Sequence, residues 1–273
     1  MEFTPAKQTY NHFAPYYDTL VSGFTKDKKI WRYCSDHHKP PIIEIGCGTG
    51  RVIMDLLPHL ASKNHKGLLM VGVDISDRML DICHQKTQCF LDSGQLSLKN
   101  HNYIDGPLHE STRFNLALIT WFTLNYMTAE NQIALLSNLR HNLIPNSLLA
   151  VDLFYPDSIR HPDRVGRWIE TRAINVDGAL ITLWEHRHML CLEDWGGVEE
   201  RIQRFVHQDG SKKEVLTHRT YITPQTAKAA IEQAGYCYRG ITHQYRFPPS
   251  MDLEALKPNP PEKHFVIFGE NVV

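Results

Sequence analysis

Apolar residues fall along this chain in three textures, and their order predicts the architecture. First come Tyr10, Phe13, Tyr17, Leu20, Val21 and Phe24 at three- and four-residue steps, the spacing of one helix face, with Pro15 expected to break the run into a short helix or two. Next, short unbroken apolar runs alternate with helix-periodic stretches. The runs are the strand opening at Ile42, LLMVGVD ending at Asp74, Leu96 to Leu98, Phe114 to Thr120, and Leu148 to Phe154. Between them, Val52 to Leu60 carries an apolar side, and Ser76 caps a helix to about Lys86. Thr128 caps a helix with Ile133, Leu135, Leu136, Leu139 and Leu143 inward, and Pro145-Asn146 forms a turn. This βαβ alternation predicts a parallel sheet with helices on both faces.

From about Trp168 the texture becomes strict alternation. Strands are expected near 168–176, 179–190, 199–207 and 212–222, with Asp177-Gly178 and Asp209-Gly210 as hairpin turns. Trp184, His186 and His188 then share one face and Glu185, Arg187 and Met189 the other. Thr223 and Pro224 open a last helix that Gly235 ends; strands over 237–243 and 264–268 follow, separated by a proline-rich connection from Phe247 to Glu262.

A chain of 273 residues, 42% hydrophobic, can bury one large core plus an insertion. The expected division is a core of 1–160 and 223–273 with an antiparallel β insertion over 161–222. A net charge of −1 supplies no general pull toward phosphate backbones, so a nucleic-acid partner is not expected. Six cysteines without CxxC spacing, a start with no apolar signal core and no run of membrane-spanning length lead to the expectation of a reduced, cytoplasmic protein without a membrane role.

The stretch IIEIGCGTGR, Ile42 to Arg51, carries the chemistry. Gly46, Gly48 and Gly50 let the backbone turn tightly and approach a ligand, and the helix that follows offers unpaired N–H groups. Asp74 ends the next strand one βαβ unit later, where a ribose diol would be read. The third glycine comes too early for the GxGxxG of a dehydrogenase.

With E-I-G-C-G-T-G followed by V-G-V-D-I-S, the chain resembles the class I S-adenosylmethionine-dependent methyltransferases of the small-molecule type, over Tyr10 to about Phe154 and again from Thr223. The resemblance implies a Rossmann-like doubly wound sheet of about seven strands, the last antiparallel, with the insertion as a lid or dimer surface. It implies S-adenosyl-L-methionine as cofactor, held by Tyr17, Glu44, Gly46, Cys47, Gly48, Gly50, Arg51, Asp74, Ile75, Met79, Asn102, Tyr103, Thr120 and Trp121. Within FAPYYD, either Tyr16 or Tyr17 would face the donor. Asn102 stands where the family usually has an acid for the adenine amino group, with Asp105 competing, and Asn115 stands where Asp is common. Trp121, Asn125 and Tyr126 follow the fourth strand and would lie beside the substrate, while Asp152, Tyr155 and Asp157 end the fifth on the same side.

Methyl transfer needs positioning more than acid–base chemistry, so a side-chain base is optional. Its candidates are Tyr126, His186, His188, His218, Tyr155 and His243, which the sequence does not rank; no metal is expected, because the His-x-His pair lacks further ligands at a suggestive spacing. The expected reaction moves a methyl group to nitrogen or oxygen of a small metabolite. The competing readings are non-methyl chemistry on the same cofactor and a non-catalytic binding protein using the insertion as its partner surface. A homodimer through the insertion is the partner expected besides the small-molecule substrate.

Overall fold

The computed structural model describes residues 6–154, 162–193, 196–245 and 264–272. The proline-rich connection up to Glu262, together with Tyr155 and Asp157, lies outside the described residues.

The unbroken apolar runs become the middle of a seven-stranded sheet because their alternate residues are buried on opposite faces. Strand β1 (Ile42–Ile45) pairs in parallel with β2 (Met70–Asp74) and β4 (Phe114–Ile119). Beyond β2 lies β3 (Leu96–Asn100), and beyond β4 lies β5 (Leu143–Phe154). Ile43, Ile45, Val71 and Val73 face one apolar cluster, which includes Leu135, Leu136 and Leu139 of α5 (Ala129–Arg140) and Ile231 of α6 (Pro224–Gln233). Ile42, Met70, Leu116 and Leu118 face the other, filled by Trp31 of α2 (Lys28–His37) and by Ile53, Leu56 and Leu57 of α3 (Arg51–Ala61). The strand order is β10-β11-β5-β4-β1-β2-β3, where β10 is Cys237–His243 and β11 is His264–Asn271. β11 runs antiparallel to both neighbours, as expected of the last strand. The order reverses between β1 and β4, so a crevice opens at the carboxyl ends of those strands.

A second sheet, β6 (Ile169–Val176), β7 (Ala179–Glu193), β8 (Gly196–His207) and β9 (Lys212–Ile222), is an antiparallel meander in chain order. Its inner face is apolar at one end, where Ile174, Ile181, Leu183, Phe205 and Val215 cluster with Tyr16 of α1 (Ala6–Val21). Among the described residues, no helix is long and apolar enough to cross a membrane.

Three local expectations change. Pro15 does not break α1; its ring is exposed, and the helix is held by packing on both sides of it. Helix α4 (Asp77–Asp92) runs a turn and a half past Lys86. Leu143 belongs to β5 rather than to the preceding helix, because the strand passes through Pro145-Asn146 with a register shift, and Asn271 donates to the Ile144 carbonyl at 3.1 Å.

Candidate active site

The glycines after β1 have different tasks. A Cβ at Gly46 would stand 2.3 Å from Thr123 Oγ1, and one at Gly50 would stand 2.6 Å from Cys83 Sγ, so both are required by packing. Gly48 is the open one: its nearest neighbour would be the Tyr17 ring at 3.7 Å. The Gly48 N–H donates to Asp74 Oδ2 at 2.8 Å and the Ser76 N–H to Oδ1 at 2.8 Å, tying the loop to the acid at the end of β2. Burial raises the pKa of Asp74 while these backbone donors pull it down.

Loop and acid open into a cavity of about 1110 Å³ between the two sheets and α1. That exceeds the roughly 300–1,000 Å³ of a site for one drug-sized ligand. Gly46, Gly48, Asp74, Ile75, Met79, Asn102, Tyr103, Tyr17 and Trp121 all line it, as does Tyr126. The residues fit a nucleoside with a cationic tail. Asp74 offers a carboxylate, Gly48 offers bare backbone, and behind the loop Glu44 Oε2 is a buried oxygen without a hydrogen-bond partner. Glu44 Oε1 accepts from Thr120 Oγ1 at 2.6 Å; burial pushes this carboxyl up to about 8 against that hydrogen bond.

Several of the expected residues either do not line the cavity or spend their polar groups within the protein. Glu44 and Thr120 pair beneath the loop and do not line the cavity. Cys47 turns into the core, its thiol pushed up by a hydrogen bond to Cys83 and by burial. Arg51 is committed to Asp27, donating to its two oxygens at 3.0 and 2.6 Å, with its guanidinium 4.9 Å from the centre of the Trp121 ring. Tyr103 keeps its ring in the core and donates to Asn142 Oδ1 at 3.1 Å. Asn102 reaches the cavity, but its amide bonds within its own turn, donating to Asp105 and accepting from the Ile104 N–H. Of the two N-terminal tyrosines, Tyr17 covers Gly48, whereas Tyr16 stacks on Phe205 at 4.1 Å.

The substrate-side expectations divide similarly. Trp121 lines the cavity in a left-handed conformation, φ 50°, followed by Phe122 at 67°, a backbone held at a cost of about 1–3 kcal/mol per residue. Asp152 is buried and holds that turn by accepting the Trp121 N–H at 3.2 Å and the Tyr245 hydroxyl. Asn125 is a staple between the sheets rather than a substrate contact, donating to the carbonyls of Phe154 and Thr220 at 3.1 and 2.9 Å.

His186 and His188 lie off the cavity. The two-residue alternation of β7 gives the inner face to Glu185 and Arg187, so His186 packs on Trp168 and His188 is exposed. His218 faces outward beside Glu200, and His243 is buried against Phe265.

The strand pattern did not single out the wall opposite Asp74. Arg172, Glu185, Arg187, Arg201, Gln203, Thr217 and Arg219 line it. Glu185 is shared: it binds Arg187 at 2.6 Å and also Arg201, which stands directly across from Arg187. Arg219 lies 5.5 Å from the Tyr126 ring centre and 5.1 Å from that of Phe154. Burial alone would lower its pKa, but Tyr126 and Glu199 more than reverse this, so the guanidinium stays charged. The available signal was the in-step series Glu199, Arg201, Gln203, which in sequence looks like a solvent face.

Residues 43–149 match a family profile described as a methyltransferase domain. A protein of Geobacillus sp. (strain WCH70), named an inferred methyltransferase, is 28% identical over 132 residues, covering 46% of this chain and 49% of its own; the chain thus matches about half the length of that curated relative. Among solved structures, the CcbJ methyltransferase of Streptomyces caelestis superposes with a TM-score of 0.69 at 17% identity, covering 97% of this chain and 98% of its own. The sugar N-methyltransferase KedS8 of Streptoalloteichus sp. does so at 0.63 and 13%, covering 98% and 93%. Residues 43–149 thus match a methyltransferase domain, the strand order and the bond between the glycine loop and Asp74 lie within that stretch or beside it, and the solved methyltransferase structures share the fold of the chain.

Proposed function

We propose that the protein transfers a methyl group from S-adenosylmethionine to a nitrogen or oxygen of a small-molecule acceptor. The observation that carries this reading is one cavity with two unlike walls, the glycine loop with Asp74 on one side and an arginine-bearing sheet on the other, in a volume larger than one ligand needs. When bound, S-adenosylmethionine supplies a carbon already activated for in-line displacement.

The chain's part is positioning. Asp74 presents its carboxylate to the ribose, and Gly48 and Met79 line the same end. Tyr17 closes over Gly48. Burial holds the phenols of Tyr10 and Tyr17 well above their ordinary pKa, so both act as hydrogen-bond donors at neutral pH. Trp121, fixed from below by Asp152 and Arg51, and Tyr126, edge-on to Tyr10 at 5.7 Å, flank the position of the nucleophile. The likeness in fold to KedS8, itself a sugar N-methyltransferase, supports a small polar acceptor.

Calorimetry with S-adenosylmethionine and its demethylated product tests the reading. Both should bind, and Asp74→Asn should weaken them about 10- to 100-fold, the worth of charge-assisted hydrogen bonds. Incubation with metabolite extract and isotope-labelled donor should then yield a product heavier by one methyl group. Absence of binding by both compounds would refute the proposal, and donor consumption without methyl gain would favour other chemistry on the same cofactor.

A further inference from the structure

We infer that the methyl acceptor carries an anionic group, a carboxylate or a phosphate, held by Arg201 and Arg219 on the inner face of the second sheet; this rests on the methyl-transfer reading above. Of the residues that β6 to β9 contribute to the cavity wall, four are arginines (172, 187, 201 and 219) and one is a carboxylate, Glu185. Glu199, fully buried beside Arg219, adds a second negative charge that does not line the cavity. Among the described residues this wall therefore carries an excess of positive charge.

The placement is set by register. Arg187 stands directly across from Arg201, and Arg201 across from Thr217. Like charges directly opposite one another destabilise a sheet. Here the one carboxylate of Glu185 is divided between two guanidiniums, while Gln203 spends its amide on the same carboxylate at 3.3 Å. Arg201 Nε is buried without a hydrogen-bond partner. Arg219 is 8% exposed; its Nε is equally unpartnered, and its approach to Glu199 is 3.8 Å, too long for a hydrogen bond. Both guanidiniums thus keep N–H capacity in a water-poor place, in the planar geometry that binds carboxylate or phosphate through two parallel bonds.

The cavity is also polarised. Asp74 and Asp105 line its glycine-loop end, suited to a cationic donor, and the arginines line the opposite wall. Arg219 lies over Tyr126, so an anion seated there would be near the expected position of the nucleophile.

Matched probes test this on the full chain: benzoate against benzamide, and phenyl phosphate against phenol, titrated by calorimetry with the S-adenosylhomocysteine site filled. At least one acid should bind 10-fold or more tightly than its neutral partner; the arm with the larger ratio identifies carboxylate or phosphate. Arg201→Gln and Arg219→Gln should each erase that preference while changing S-adenosylhomocysteine affinity less than twofold, and Arg219→Lys should restore part of it. Equal binding of acid and neutral probes, or binding of neither acid at 20 mM, would overturn the inference, and this wild-type comparison decides even if both variants fail to fold. Loss of S-adenosylhomocysteine affinity in Arg219→Gln with benzoate binding intact would assign Arg219 to the donor and overturn it too. If S-adenosylhomocysteine fails to bind while acid preference persists, the methyl-transfer reading alone falls.

Discussion

The two sheets that enclose the cavity build their walls from different materials. The seven-stranded sheet presents backbone: Gly48 at φ 53°, held by one buried aspartate, with the other two loop glycines wedged against Thr123 and Cys83. The four-stranded sheet presents long charged side chains in alternating register, with one carboxylate serving two guanidiniums. A backbone site tolerates little change in local geometry, and here that geometry is fixed by Asp74, Thr123 and Cys83. Side-chain sites depend on the balance of charge, and a single truncation leaves a neighbour buried and uncompensated.

The contrast yields a series of expected effects. Glu185→Ala should cost the most, about 3–5 kcal/mol in urea unfolding, because Arg187 and Arg201 would face each other without their shared anion; a loss under about 1 kcal/mol would mean that water already screens the pair. Gly46→Ala should cost about 2–3 kcal/mol, combining a left-handed φ with a clash on Thr123, and Thr123→Ala in the same chain should recover part of it. Gly48→Ala, whose Cβ would meet the Tyr17 ring at ordinary contact distance, should cost about 1–2 kcal/mol and yet impair donor binding more.

Smaller effects concern protons and histidines. The Glu44 carboxyl is raised to about 8 in the folded protein from an unfolded value of about 4.3, so the folded state holds more protons between those limits. Its contribution to stability is fully present below about pH 4.3 and lost as pH rises through 8. Glu44→Gln should flatten that part of the stability–pH curve. A cationic donor should also draw part of a proton from Glu44 on binding at pH 7, detected as a buffer-dependent calorimetric enthalpy that Glu44→Gln removes. Smallest of all, His186→Ala and His188→Ala should leave turnover within about twofold, since both face away from the cavity; a 100-fold loss in either would mean that the outer face of β7 takes part.

The same contrast explains which features were legible in sequence. Apolar runs and glycine spacing depend on local chain properties, and they led directly to the parallel strands and to Asp74 at the end of β2, while the doubly wound order came from the family resemblance and the bond between loop and acid was not foreseen. The hairpin turns placed the second sheet to within a few residues. What could not be read was which face of that sheet turned inward: His186 and His188 alternate with Glu185 and Arg187, and only the packing of Leu183 and Phe205 on α1 fixes the choice. Arg51 and Asn125 were likewise drawn toward the ligand by position along the chain. Their partners, Asp27 on one side and the carbonyls of Phe154 and Thr220 on the other, are distant in sequence. The left-handed turn at Trp121 has no sequence signal at all, since neither residue is glycine or asparagine.

Helix α1 touches both walls. Its Tyr17 lies over Gly48 while Phe13 and Tyr16, on neighbouring turns, pack on Phe205 of the second sheet. Near its C-terminal end Asp18 accepts from Thr49 Oγ1 at 2.6 Å and from Lys86 at 3.0 Å, a half-exposed clasp that contributes little to stability. A bodily shift of α1 would therefore disturb both walls at once, the ring over Gly48 and the apolar end of the second sheet.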